Sequence, residues 1–199
     1  MLTRQPCART RQRGTTLIEV MVSILITALG LLALAGLQTR MNAALMESNQ
    51  RAHALTLLQD MTQRMQANMN QAAAYVTGTA DPRGTGDAAP GDCSTLAAPT
   101  RADLDLCEWS NALKGSHEVK DTASVGAMIG ALGCVEQVQA PNPAAGVCQP
   151  GVYRVTISWQ GFNSTVAPAV SCGADQYGSD DALRKAVSSS VVVPLQTCS

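Results

Sequence analysis

The sequence predicts an α+β fold in which one long N-terminal helix packs on a small antiparallel sheet with disulfide-stapled loops. Three observations predict it. Apolar residues recur at helical spacing through residues 15–76, residues 152–159 and 191–193 carry the pattern of strands, and six cysteines are spread over the C-terminal part. A length of 199 residues fits one compact domain with extensions.

The helix comes first. Residues 17–37 form an apolar run whose only charge is Glu19. About 20 such residues cross a bilayer as a helix. Arg4, Arg9, Arg11 and Arg13 precede the run with no acid among them. The positive-inside rule keeps that leader in the cytoplasm and places the C-terminal part outside it. The competing reading is a secretory signal peptide cut after Ala33-Leu34-Ala35. Against it, the run exceeds the usual apolar core of about 7–15 residues, and an acid stands near its start.

Beyond residue 37 the period continues. Met41, Leu45, Ser48, Ala52, Leu55, Leu58, Met61, Met65, Met69 and Ala72 recur at steps of three and four. No Gly or Pro falls between residues 37 and 76, and the first breakers are Gly78 and Pro82. One helix over residues 15–76 would be on the order of 90 Å long. Arg40, Glu47, Gln50, Arg51, Gln63 and Arg64 give its outer half a polar side. The methionine stripe reads as packing, not as a metal or cofactor site.

The remaining elements follow in chain order. Residues 77–92 are a loop by composition. Residues 101–113 have helical character, with Leu104, Cys107 or Glu108, and Leu113 near one face. Residues 133–138 read as a strand, residues 152–159 alternate with period two, and Val191-Val192-Val193 before Pro194 reads as a last strand at a sheet edge. Residues 140–150 and 165–178 are loops, each crossed by a cysteine.

Composition explains why that domain needs staples. Aromatics are only 3% of the chain, so large core side chains are few. Of seven cysteines, Cys7 lies in the basic leader. The other six are Cys93, Cys107, Cys134, Cys148, Cys172 and Cys198, an even set that reads as three disulfides in an oxidising compartment. Sequential pairing, 93–107, 134–148 and 172–198, closes local loops, each worth roughly 3 kcal/mol on the chain-entropy account. A zinc site is the alternative. It lacks a C-x-x-C pair, and the only histidines are His53 and His117. No metal is expected.

Charge narrows the partners. The net charge is −1, but from residue 77 onward seven basic side chains face twelve acidic ones. A nucleic-acid partner is not expected, because phosphates need a basic patch. The one local candidate is the Arg184-Lys185 pair. No serine lies in a His-containing motif, and no G-x-G-x-x-G or P-loop is present. His53 and His117 read as solvated surface residues. No enzyme activity and no cofactor is expected.

Gly14-Thr15-Thr16-Leu17-Ile18-Glu19-Val20 resembles the class III signal of type IV prepilins. That signal is a basic leader ending in Gly, then a hydrophobic helix with Glu at the fifth mature position. The resemblance implies cleavage by prepilin peptidase between Gly14 and Thr15 and N-methylation of Thr15. It makes Glu19 the assembly residue. The family usually starts its mature chain with Phe or Met, and Thr15 departs from that. Residues 30–38 resemble the second half of the anchor helix in the PilV family of minor pilins. Asp105-Leu106-Cys107-Glu108-Trp109 resembles that family's short helix, and residues 152–159 its long strand.

The physics of Glu19 stands beside the resemblance. A charge at mid-bilayer costs roughly 2.5–3.5 kcal/mol. In related filaments the implied partner is the amine of a mature N-terminus, its own or a neighbour's, charged near neutral pH with a reference pKa of about 7.7–8.0. The bland alternative is a Glu that snorkels at the cytoplasmic interface.

The resemblance implies a pilin-like chain in three parts. These are a leader over residues 1–14, a helix over 15–76 that spans the membrane in 17–37, and a periplasmic globular domain over 77–199. It implies a single-pass inner-membrane protein that later enters a pilus as a minor pilin of the priming complex at the tip. The implied partners are other minor and major pilins, the prepilin peptidase, the inner-membrane assembly machinery and a tip adhesin. A minor pseudopilin of a type II secretion system shares the signal and helix. Those are generally simpler in their globular part, so the six distal cysteines favour the pilus.

Overall fold

The computed structural model describes residues 14–116, 119–120, 123–124, 128–178 and 180–195. Leader residues 1–13 with Cys7, His117 and Cys198 lie outside the described residues. The chain forms two units, Met1–Ala44 and Leu45–Ser199.

Helix α1 (Leu17–Ala67) runs through both. In the first unit its side chains are exposed, Leu17 to 74%. Its hydroxyls satisfy themselves locally, which lets polar residues sit in an apolar helix. Ser23 Oγ donates to Glu19 O at 2.7 Å, Thr27 Oγ1 to Ser23 O at 2.7 Å, and Thr39 Oγ1 to Gly36 O at 2.9 Å.

In the second unit, Ala54, Leu58, Met61 and Met65 form the buried face of α1. Steps of four, three and four put these on one side of a helix. The methionine stripe therefore packs, but over a shorter length than its period. Met41, Leu45, Leu55 and Met69 are exposed, and the core of the second unit takes Ala54, Leu58, Met61 and Met65 from α1 with Leu57 packed against it.

The α-helix stops at Ala67, short of the Val76 that the absence of Gly and Pro predicts. Asn68 leaves helical geometry at φ −126° and ψ 43°, and a 3₁₀ segment, Met69–Tyr75, follows with a further kink at Gln71. Asn68 turns its amide to the Tyr75 hydroxyl at 3.2 Å, which a continuous helix would not bring within reach.

The predicted loop over residues 77–92 contains a short strand, β1 (Arg83–Gly84). Helix α2 (Arg101–Leu113) starts with a capping box: Thr100 Oγ1 accepts from Asp103 N, and the Asp103 carboxylate accepts from Thr100 N. Its buried face is Ala102, Asp105, Leu106, Trp109 and Leu113, while Glu108 is exposed. Of the expected face, Cys107 and Leu113 are buried, Leu104 is half-buried, and Glu108 points to solvent. The carboxylate of Asp105 could not be read as buried without its partners.

Two short strands, β2 (Val119–Lys120) and β3 (Ala123–Ser124), pair with each other. The main sheet is antiparallel in the order β1-β4-β5-β6, with β4 Leu132–Gln139, β5 Gly151–Gln160 and β6 Arg184–Val193. It packs against α1 and α2 through Val135, Tyr153, Val155, Ile157, Trp159 and Val191. Trp109 links the layers: its Nε1 donates to Leu57 O at 3.0 Å. Its ring lies so close to β4 that a Cβ at Gly133 would stand 2.3 Å from it. Glu47 holds the turn after β5, its Oε1 accepting from Asn163 N at 2.9 Å and Phe162 N at 3.2 Å.

The strand β5 alternates in sequence yet is buried on both faces, Thr156 and Ser158 included. The outer face is covered by the segment around residues 171–178. Cys172 is bonded to Cys134 of β4, and Tyr177 donates to Gly130 O at 2.6 Å. Burial pushes the Tyr177 phenol up to about 12, which keeps it a neutral donor.

Cys93 is bonded to Cys107, closing a local loop. The expected 134–148 and 172–198 pairs are corrected by the Cys134–Cys172 bond. Cys148 is also disulfide-bonded. Local loop length does not choose the partner here; the sheet does, by placing β4 under the covering loop.

Candidate functional site: the start of the N-terminal helix

The site grows from the first turn of α1. Gly14 and Thr15 precede it and are exposed. Thr16 O accepts from Glu19 N at 3.1 Å and from Val20 N at 3.3 Å, so the helix opens where the apolar run opens. Glu19 lies in the first turn, exposed. A negative charge there is favoured by the helix dipole, worth about 0.3–1 kcal/mol on an exposed surface. No ion pair or side-chain hydrogen bond of Glu19 is found among the described residues. Around it Leu17, Ile18, Met21, Val22, Ile24 and Leu25 are exposed. The helix is long and apolar enough to cross a membrane by length and composition.

The second unit carries charge of a different kind. Asp105 is 1% exposed, and its Oδ1 pairs with Arg64 and Arg101, each at 2.9 Å. Its Oδ2 accepts from the Tyr75 hydroxyl at 2.6 Å. Arg64 also binds Asp60 and Glu108. Burial works against the Arg64 charge, but the bonds to Glu108, Asp60 and Asp105 outweigh it and hold its pKa above the ordinary value. Burial and the bond to Asp105 push the Tyr75 phenol up. This knot ties α1 to α2, joining Arg64 to Asp105 across 41 residues of chain and Tyr75 to Asp105 across 30. Sequence reading missed it; both residues sit in polar positions with no linear signature.

The Arg184-Lys185 pair is not a basic patch. Arg184 is buried, and its guanidinium donates to the carbonyls of Cys172 and Pro168 at 3.1 Å each while pairing with Asp181 at 3.0 Å. Lys185 donates to Asn163 O at 2.9 Å and Thr165 Oγ1 at 2.8 Å. His53 is exposed on α1. No cluster of His, Cys, Asp and Glu able to hold a metal occurs among the described residues.

Residues 9–35 match the prokaryotic N-terminal methylation motif. No curated protein and no solved structure matches the chain. The match spans the basic leader's end, Gly14, Thr15, Glu19 and the apolar helix to residue 35. The motif and the long-helix α+β fold together support a type IV pilin or pseudopilin. The motif points to a structural protein processed by prepilin peptidase and assembled with other pilins, and the apolar helix fits inner-membrane anchoring before incorporation.

Proposed function

We propose that this chain is a minor pilin of the PilV type that assembles through α1 into a type IV pilus, within the priming complex at the tip. On this reading residues 1–14 are the leader, residues 15–76 the helical stem and residues 77–199 the periplasmic domain. Prepilin peptidase cuts between Gly14 and Thr15, and Thr15 receives the N-methyl group. The observation that carries the reading is Glu19: an acid in the first turn of an exposed apolar helix, with no partner among the described residues. The N-terminal amine of a neighbouring mature subunit would neutralise it and set the stagger between helices. The alternative, a minor pseudopilin of a type II secretion system, draws on the same motif. The disulfide-stapled loops of the second unit support the pilus.

Glu19→Ala tests it. The variant should insert in the membrane, since losing a charge makes the segment more apolar. N-terminal sequencing should still begin at Thr15. Assembly should fail, because the neighbour's amine is left unpaired in an apolar bundle, a loss on the order of 3–5 kcal/mol. Co-purification with partner pilins and a count of surface pili read this out. Glu19→Asp should fall between, keeping the charge but not the reach. Full piliation with unchanged partner recovery by Glu19→Ala sinks the role given to Glu19.

A further inference from the structure

The main sheet treats its two edges differently. One edge is β1, only two residues long, which leaves little to pair with. The other is β6, ten residues long and matched to β5 in continuous register from Gly151↔Val193 to Gln160↔Arg184. Residues 186–193 contain no charge and no proline, the devices that normally blunt a sheet edge.

The ladder decides which backbone groups face out. Val135 spends its C=O on Thr77 and Gly78 and its N–H on Thr77 Oγ1, away from β5. Direction alternates along an antiparallel strand, so Glu136 faces β5, opposite Arg154. Arg154 then faces β4, Val155 faces β6 opposite Ser189, and Ser190 turns its N–H and C=O to the open edge. The bonds from Gly161 N to Leu183 O and from Thr165 N to Ala182 O obey the same alternation. Thr165 thus covers the edge at Ala182. Beyond it, Ala186, Ser188, Ser190 and Val192 point their backbone groups outward, and no hydrogen bond reaches those groups among the described residues. The side chains of Ser188 and Ser190 are exposed, and that of Val192 is 57% exposed.

We propose that residues 186–192 of β6 are a docking edge that takes an extended, uncharged segment of a neighbouring, non-identical pilin domain as an added strand. A second copy of this chain fits poorly. Antiparallel pairing of β6 with itself needs a two-fold axis perpendicular to the sheet. That axis turns the second unit's stretch of α1 antiparallel to its mate, against the parallel helix packing of the proposed filament. Area points the same way. A specific complex that stands alone buries about 1,200–2,000 Å², more than one added strand supplies. The edge therefore acts beside a second interface, which helix packing provides. The identity of the partner rests on the filament reading.

The test uses the full-length chain in membranes, co-expressed with the pilins of its host. A photo-crosslinking side chain is introduced at Ser188, and at exposed Ala97 as a control. Ser190→Pro removes an outward N–H without breaking a ladder bond, a placement edge strands tolerate. Ser190→Lys is the second variant, should proline perturb folding. The expected result is a crosslink from position 188, but not 97, to another pilin. Either variant should lower partner recovery by about tenfold or more, equivalent to about 1.4 kcal/mol, with disulfides still oxidised. Wild-type recovery of pilins without a crosslink at 188, or undiminished recovery by both variants, overturns the docking edge and leaves the filament reading standing. A crosslink to a second copy overturns the choice of partner. Recovery of no pilin by the wild type overturns the filament reading and, with it, the partner named here.

Discussion

Replacing Arg64 by methionine should loosen α1 from α2 without emptying the space between them. Methionine keeps the aliphatic stem, so the change is chiefly electrostatic. The variant leaves Asp105 buried, still bonded to Arg101 and Tyr75. Asp60 and Glu108 are partly exposed and return to water. Breaking a buried pair outright costs about 3–5 kcal/mol. One retained arginine and the tyrosine reduce that, and the loss of a single charged hydrogen bond costs about 1.5–3 kcal/mol. The expected destabilisation is therefore about 2–3 kcal/mol. For a unit of this size each kcal/mol lowers Tm by about 2–4 °C, so the drop should be on the order of 5–10 °C. Trp109 bonds to α1 through Leu57 O, and its fluorescence reports the transition in detergent-solubilised, oxidised protein. A double-mutant cycle with Asp105→Asn isolates the pair. A loss below about 1 kcal/mol, or strict additivity in the cycle, refutes the claim that this knot joins the helices.

Two further perturbations follow from the same reasoning. The Cys134–Cys172 bond closes a loop of 38 residues and should contribute about 4 kcal/mol, against about 3 kcal/mol for the 14-residue Cys93–Cys107 loop. Non-reducing peptide mapping should return both pairs and join Cys148 to Cys198, and a 134–148 peptide refutes the pairing. Burial raises the pKa of Asp87, but bonds from Lys114, Ser110 and the N–H groups of Gly84 and Ala89 outweigh it and hold the carboxylate below its ordinary range. A depressed folded pKa means the unfolded chain takes the proton first, so the stabilisation is complete above about pH 5 and is lost as pH falls through the folded value. Asp87→Asn should cost toward the low end of about 3–5 kcal/mol at pH 7 and flatten the acid limb of the stability–pH curve, which denaturant titration measures; an unchanged acid limb counts against it.

The assembly helix could be read from the chain because its determinants are contiguous. Basic leader, Gly14, Glu19 and the apolar run stand in order, and a membrane responds to local composition. Strand β5 was legible for a similar reason, since period two is local, while of β6 only residues 191–193 read as a strand and the run from Arg184 to Ser190 did not. The exceptions have one cause. Beyond the end of α1 at Ala67, Tyr75 meets Asp105; that buried carboxylate depends on Arg64, and the burial of Thr156 and Ser158 on the loop that Cys172 anchors. The same holds for Arg184, which reads as surface charge and is instead the cap on three carbonyls. Local composition sets the anchor, the acid at its head and most of the stretches that turn helical or extended. Which cysteines meet, which polar groups are buried and which sheet edge stays open follow from packing, because each is set by groups distant in the chain that the fold brings together.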